Sequence, residues 1–180
     1  IEINPQDALA YYNRGNAKHE LKDYQGVIAD YSKAIEINPQ YADAYYNRGV
    51  AKRKSGDYQG AISDYTKAIE INPQDANAYY NRGSAKDELK DYQGAISDYT
   101  KAIEINPQDA DAYSNRGYAK DELKDYQGAI ADYSKAIEID PEDAYAYNNR
   151  GLAKGALEDY QGAISDYSQA IEIDPEYVNA

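Results

Sequence analysis

Side chains able to break bonds are scarce in this chain. It holds one histidine, His19, and no cysteine, so a thiol nucleophile, a thiolate zinc centre and a histidine-rich metal site are all beyond its means. Carboxylates are plentiful, but Asp87 with Glu88 and Asp121 with Glu122 are sequence neighbours, and neighbours on a helix point in different directions. They read as solvated charges, not as an acid and its base. No glycine-rich phosphate loop is present either. The expectation is a chain that is not an enzyme, with no catalytic residue, no metal and no cofactor.

What recurs instead is recognition chemistry. Asn13, Asn47, Asn81, Asn115 and Asn149 follow one another at a fixed interval of 34 residues. A side-chain amide carries both a donor and an acceptor, so it can pair with a peptide group of an extended chain without reading that chain's side chains. Each such bond contributes a net of about 0.5–1.5 kcal/mol, enough together for a weak, sequence-tolerant grip. Tyrosine is the other recurrent group, with 22 copies and no Phe or Trp. Tyr12, Tyr46 and Tyr80 run beside the asparagines, and Tyr118 and Tyr145 lie further along. Exposed, such rings are flat amphipathic anchors of the kind enriched at binding hot spots; folded onto a neighbouring helix, they are packing.

The interval that spaces these groups also spaces the elements that must hold them. Pro5, Pro39, Pro73, Pro107, Pro141 and Pro175 lie 34 residues apart, which is the signature of a helical solenoid whose units bury their apolar faces only by stacking. Phased on alanine, the units are 8–41, 42–75, 76–109, 110–143 and 144–177. In the first unit Asp7 and Asp23 stand where helix N-caps belong. Tyr24, Val27, Ile28, Tyr31, Ala34 and Ile35 then follow the three-and-four spacing of an amphipathic second helix. Asn38-Pro39 stops it. A glycine at the eighth place (Gly15, Gly49, Gly83, Gly117, Gly151) costs a helix about 1 kcal/mol against alanine, so close helix approach must compensate. The recurrent Gly26, Gly60, Gly94, Gly128 and Gly162 have no such account. Residues 1–7 copy the end of a second helix and 178–180 begin another first helix, so the chain reads as a stretch of a longer array, 1–180 forming one solenoid.

With tyrosine at the fourth and twenty-fourth places, glycine at the eighth, alanine at the twenty-seventh and proline at the thirty-second, all five units resemble the tetratricopeptide repeat family. The resemblance implies an all-α fold, a right-handed superhelical α-solenoid of antiparallel helix pairs, whose first helices line a concave groove for extended peptides. Two departures recur: arginine at the seventh place (Arg14, Arg48, Arg82, Arg116, Arg150) and lysine at the eleventh (Lys18, Lys52, Lys86, Lys120, Lys154). These are expected to bury their stems and pair with Asp30, Asp64, Asp98, Asp132 and Asp166. The family's clamp for a peptide's terminal carboxylate is incomplete. Asn16 and Asn47 fit it, but Tyr12, Asn77 and Asn81 replace its basic residues.

Comparing the units within the chain, most differences fall on one stripe of the first helix, which the resemblance makes the ligand surface. Arg53 and Lys54 form a basic spot there; Asp87, Asp111 and Asp121 lead an acidic stretch. The ligand expected is an extended peptide carrying basic residues, with complementarity setting selectivity more than affinity. A net charge of −13 speaks against nucleic acid. No apolar run approaches the roughly 20 residues that cross a bilayer. The alternative is a self-assembling spacer, or an idealised repeat with no specific ligand, that associates end to end through apolar side chains such as Tyr160, Ile164, Tyr167 and Ile171.

Overall fold

In a computed structural model, the structure describes residues 7–175. Among them the chain forms ten helices and no strand. The first helices of the repeats are α1 (Ala8–Glu20), α3 (Ala42–Lys54), α5 (Ala76–Glu88), α7 (Ala110–Glu122) and α9 (Ala144–Ala156). The second helices are α2 (Tyr24–Ile37), α4 (Tyr58–Ile71), α6 (Tyr92–Ile105), α8 (Tyr126–Ile139) and α10 (Tyr160–Ile173). The partial repeats at 1–7 and 178–180 lie outside the described residues, Asp7 excepted. Two compact units contain these helices, Ile1–Lys90 with α1 to α5 and Asp91–Ala180 with α6 to α10.

Aspartates start nine of the ten helices, and α3 instead follows Tyr41, which makes no side-chain cap bond. Asp7 accepts from the Leu9 and Ala10 amides. Before every second helix an aspartate accepts from the amide three residues on, as Asp57 does from Gly60 at 2.9 Å. This explains the recurrent glycine that the sequence left open: a Cβ on Gly60 would collide with the Asp57 carboxylate folded against it. The second helices end at an extended residue before proline, Asn38 in the first repeat, whose amide still reaches Ala34. Between the helices of a pair the backbone passes through the left-handed region, at Lys22, Lys90, Lys124, Glu158 and Gly56.

Within a pair the helices run antiparallel, since Arg14 meets Asp30 while Lys18, one turn later, reaches back to Gly26. Close approach is set by glycine: a Cβ on Gly49 would stand 2.8 Å from Tyr65 Cε1, so the tyrosine ring lies where a side chain would otherwise be. Each covered second helix is packed from both sides. In the first unit Val27 and Tyr31 of α2 meet Ala51 of α3, and Ala34 and Ile35 meet Ala44. In the second unit Ala129 and Tyr133 of α8 meet Ala153 of α9, and Ala136 and Ile137 meet Ala146.

In the first, second, fourth and fifth repeats the recurrent arginine and lysine pair with the buried aspartate. Asp64 is 3% exposed; it accepts a two-pronged Arg48 contact at 2.8 and 2.7 Å and a Lys52 contact at 2.8 Å. The third arm of Arg48 reaches the Ser32 hydroxyl of the preceding second helix at 2.9 Å, and the guanidinium lies over the Tyr45 ring. For Asp166, burial alone would raise its carboxyl above the ordinary range, but hydrogen bonds from Arg150 and Lys154 outweigh it and hold the carboxyl below that range.

Two predictions follow from this packing. Asp166→Ala leaves the half-buried Arg150 and Lys154 without their partner, and amide exchange in α9 and α10 should report a loss of about 3 kcal/mol at neutral pH. A lowered folded pKa means the wild-type contribution is present above the unfolded pKa and is lost as pH falls through the folded one. The difference between the two proteins should therefore shrink only in strong acid. Lys124→Gly, at the turn place where the second repeat already has Gly56, removes left-handed strain and should raise stability by about 0.5–1 kcal/mol after glycine's own entropy cost, read from the urea midpoint.

Candidate functional site

The repeating asparagines lie on the first helices, as their spacing requires, and their amides are already engaged. Asn47 Nδ2 donates to Tyr12 Oη at 2.8 Å. One repeat on, Asn81 Nδ2 donates to Tyr46 Oη at 3.0 Å and to the Asn77 carbonyl at 2.9 Å. At these two steps the sixth place of one repeat holds the fifth place of the repeat before it. Asn13 is exposed; Asn115 and Asn149 are half-buried.

Tyr12 and Tyr46 fold onto the second helices. Tyr12 packs at 5.6 Å from the Tyr31 ring and 4.9 Å from Tyr41, and Tyr46 at 5.8 Å from Tyr65. Burial raises the Tyr12 hydroxyl above its ordinary range, followed by the charge of Asp43. The hydroxyls still turn toward the first-helix face, where Asn47 meets Tyr12. Beside this pair, between α1 and α3, lies a cavity of about 280 Å³ lined by Asn16, His19, Glu20, Tyr31, Tyr46, Asn47 and Val50. The Tyr31 hydroxyl donates to Asn16 Oδ1 at 2.7 Å, and burial pushes it up to about 12.

At the rim of the cavity His19 Nε2 lies 3.4 Å from Lys54 Nζ. Lys54 is exposed, whereas Arg53 is half-buried with one arm 3.4 Å from Ser84 Oγ. Tyr80 and Asp87 are half-buried on α5.

In the second unit Asp111 is exposed near Asp109, Asp140 and Asp143. Burial and then these charges raise its carboxyl above the ordinary range. Asp121 is half-buried on α7, where burial and then Glu122 raise it. Tyr118 meets Tyr92 edge-on at 6.4 Å, and Tyr92 donates to Glu122 Oε2 at 2.9 Å. Among the described residues no group of three His, Asp or Glu side chains is placed to hold a metal, and no helix is long and apolar enough to cross a membrane.

The asparagine–tyrosine bond between repeats escaped the sequence reading, which treated the two residue types as separate ligand groups. Spacing alone carried no signal of it, because the sixth place is asparagine in every repeat, including Asn149, which follows Ser114. Tyr12→Phe keeps the ring and removes the acceptor for Asn47. Thermal unfolding followed by circular dichroism should show a loss of about 1 kcal/mol with unchanged helix content.

A family model described as Tetratricopeptide repeat matches residues 42–75, 76–109, 110–143 and 144–177, and one described as TPR repeat matches residues 15–56. Among curated proteins no sequence is similar enough to count as a relative. Solved structures are similar over nearly the whole chain. The crystal structure of MamA protein shares 28% identity and a TM-score of 0.89, covering 96% of each chain. That of YrrB, described as a TPR protein with an unusual peptide-binding site, shares 25% identity and a TM-score of 0.86 over 97% of this chain and 90% of its own. MamA from Desulfovibrio magneticus RS-1, residues 41 to the end, has the same fold at 22% identity, with a TM-score of 0.89 over 95% of this chain and 97% of its own.

Proposed function

The chain belongs to the tetratricopeptide repeat family, and from that premise we propose that it is a non-enzymatic protein-interaction scaffold holding an extended peptide along its first helices. The observation that carries this reading is the division of labour in the asparagine–tyrosine pair. Asn47 spends an amide hydrogen on Tyr12, which leaves its Oδ1 as an acceptor and the Tyr12 O–H as a donor on the same face. A peptide group needs one of each. Asn81 with Tyr46 repeats the Oδ1 acceptor one step along. The description of YrrB as peptide-binding supports the same use of this fold. Asn13, Asn115, Asn149 and Tyr80 would extend the row. Arg53, Lys54, Asp87 and Asp111 would read the charges of the bound segment.

End-to-end self-association is the second reading, and one observation favours it. Ile35, Ile69, Ile103 and Ile137 are covered to 8–9% exposure by the next first helix, whereas Ile171 of α10 is 59% exposed, beside Ile164 at 58% and Tyr160 at 62%. The alanines that cover such a face are fully buried in α3 and α9, but Ala17, their counterpart on α1, is exposed. A second copy's α1 therefore has the shape that α10 lacks.

One experiment separates the two. A peptide array is probed with the wild-type chain and with Asn47, Asn81 and Asn115 changed together to Ala, helix content being checked by circular dichroism. Peptides rich in basic residues should be retained by the wild type and lost by the variant. A blank array together with a mass that rises with protein concentration would replace the peptide reading by self-assembly.

A further inference from the structure

The residues that line the cavity between α1 and α3 have equivalents three repeats later, on α7, α8 and α9, with different chemistry. Asn16, His19, Tyr31, Asn47 and Val50 of the first unit become Tyr118, Asp121, Tyr133, Asn149 and Leu152 of the second. Three features of the second unit have no counterpart in the first.

One is an orphaned amide. Tyr12, which takes the Asn47 amide in the first unit, is replaced at the corresponding place by Ser114. This short side chain is buried and points its hydroxyl to Asp143 at 3.3 Å. Asn149 Oδ1 accepts from Asn148, but Asn149 Nδ2 is buried with no hydrogen-bond partner. A buried donor left unmade is costly, so the site gains from any acceptor that reaches it.

Another is an unanswered carboxylate. Asp121 is half-buried and has neither a hydrogen bond nor an ion pair to its side chain. In the first unit α3 brings Lys54 to 3.4 Å from His19; at the matching places α9 has Gly155 and Ala156, which bring no charge. The third feature is an aromatic wall. Tyr118 stands edge-on to Tyr92, and Tyr92 is anchored on Glu122. The buried Tyr133 hydroxyl is raised above its ordinary range first by burial and then by Tyr145, Asp121 and Tyr118, so all three act on it electrostatically.

We propose that this group of side chains in the second unit recognises one basic residue, arginine or lysine, of an extended peptide. Its cation meets the Asp121 carboxylate beside the rings of Tyr118 and Tyr145, and its backbone carbonyl accepts from Asn149 Nδ2. Aromatic faces and a partly desolvated carboxylate both favour a cation. The orphaned donor fixes where the main chain lies, so the site reads a side chain in one register. The proposal rests on the peptide-binding reading and names its selective position.

The test uses the whole chain and three capped single residues: N-acetyl-arginine N-methylamide and its citrulline and norleucine counterparts. Two-dimensional NMR follows the Asn149 side-chain amide and the rings of Tyr118 and Tyr145. The arginine compound should move all three and bind roughly tenfold more tightly than the citrulline compound, which matches its shape without the charge. Asp121→Asn, a near-isosteric change at a half-buried side chain, should reduce arginine to the citrulline level while the Asn149 amide still responds. Equal binding of arginine and citrulline, or arginine binding that leaves the Asn149 amide unmoved, overturns the proposal. A blank peptide array with arginine binding intact would keep this site and remove only the reading of the longer groove. An array that selects peptides without a basic preference, together with no discrimination here, would remove this site and keep the groove.

Discussion

A carboxylate buried among apolar helices has to be answered, and the architecture of each repeat follows from how this chain answers it. Asp64, Asp132 and Asp166 are 3–4% exposed. An isolated charge there would be prohibitive, so the same helix pair must supply cations, and it supplies two of them. The arginine arrives with a planar fork that fits the carboxylate in one orientation, and the lysine closes the remaining oxygen. Sliding one helix by a residue would strand the charge, so the contact sets register as well as contributing energy. The tyrosine under each guanidinium, and the glycine that lets the twenty-fourth-place tyrosine approach, are consistent with that one register.

On the proposed peptide-binding reading, scaffold and ligand surface draw on the same atoms in this protein. Asn47, which that reading turns toward a ligand, is also the side chain that ties α3 to α1, and the Tyr12 it ties to is half-buried in the core of the preceding repeat. Such an amide is held in one rotamer before any ligand arrives, so little side-chain entropy is lost when one binds. Mutating the row therefore disturbs packing along with binding, which is why helix content has to be followed beside affinity.

Much of the fold was legible in the residues. Asp7 and Asp23 marked the helix starts, Asn38-Pro39 marked a stop, and in the first, second, fourth and fifth repeats the arginine and lysine at the seventh and eleventh places found the aspartates expected for them. These are local or one-repeat relations, where type and spacing nearly determine contact. The site was less legible. The glycine after each cap had no explanation until the carboxylate was seen folded against it, because cap geometry is a matter of ångströms and not of spacing. Tyr12 and Tyr46 could have been exposed or packed, and only their distances to Tyr31 and Tyr65 decide it. Arg53 and Lys54 are neighbours in sequence yet differ in environment, since one faces Ser84 and the other the solvent. The loss of a partner for Asn149 depends on Ser114, a residue in another repeat that looked like ordinary variation.

The polar contacts have constant sequence separations. Arginine to its own aspartate spans 16 residues, arginine to the preceding hydroxyl also spans 16, as in Arg48 to Ser32, Arg116 to Thr100 and Arg150 to Ser134, and asparagine to the preceding tyrosine spans 35. Removing or duplicating a whole period anywhere along the gene re-creates every one of these spacings across the new junction. A change by whole periods thus keeps these separations, while serine in place of tyrosine at one fifth place, as at Ser114, goes with a single unpartnered amide, that of Asn149. Length and specificity can then drift independently in this chain, the first by recombination and the second by substitution.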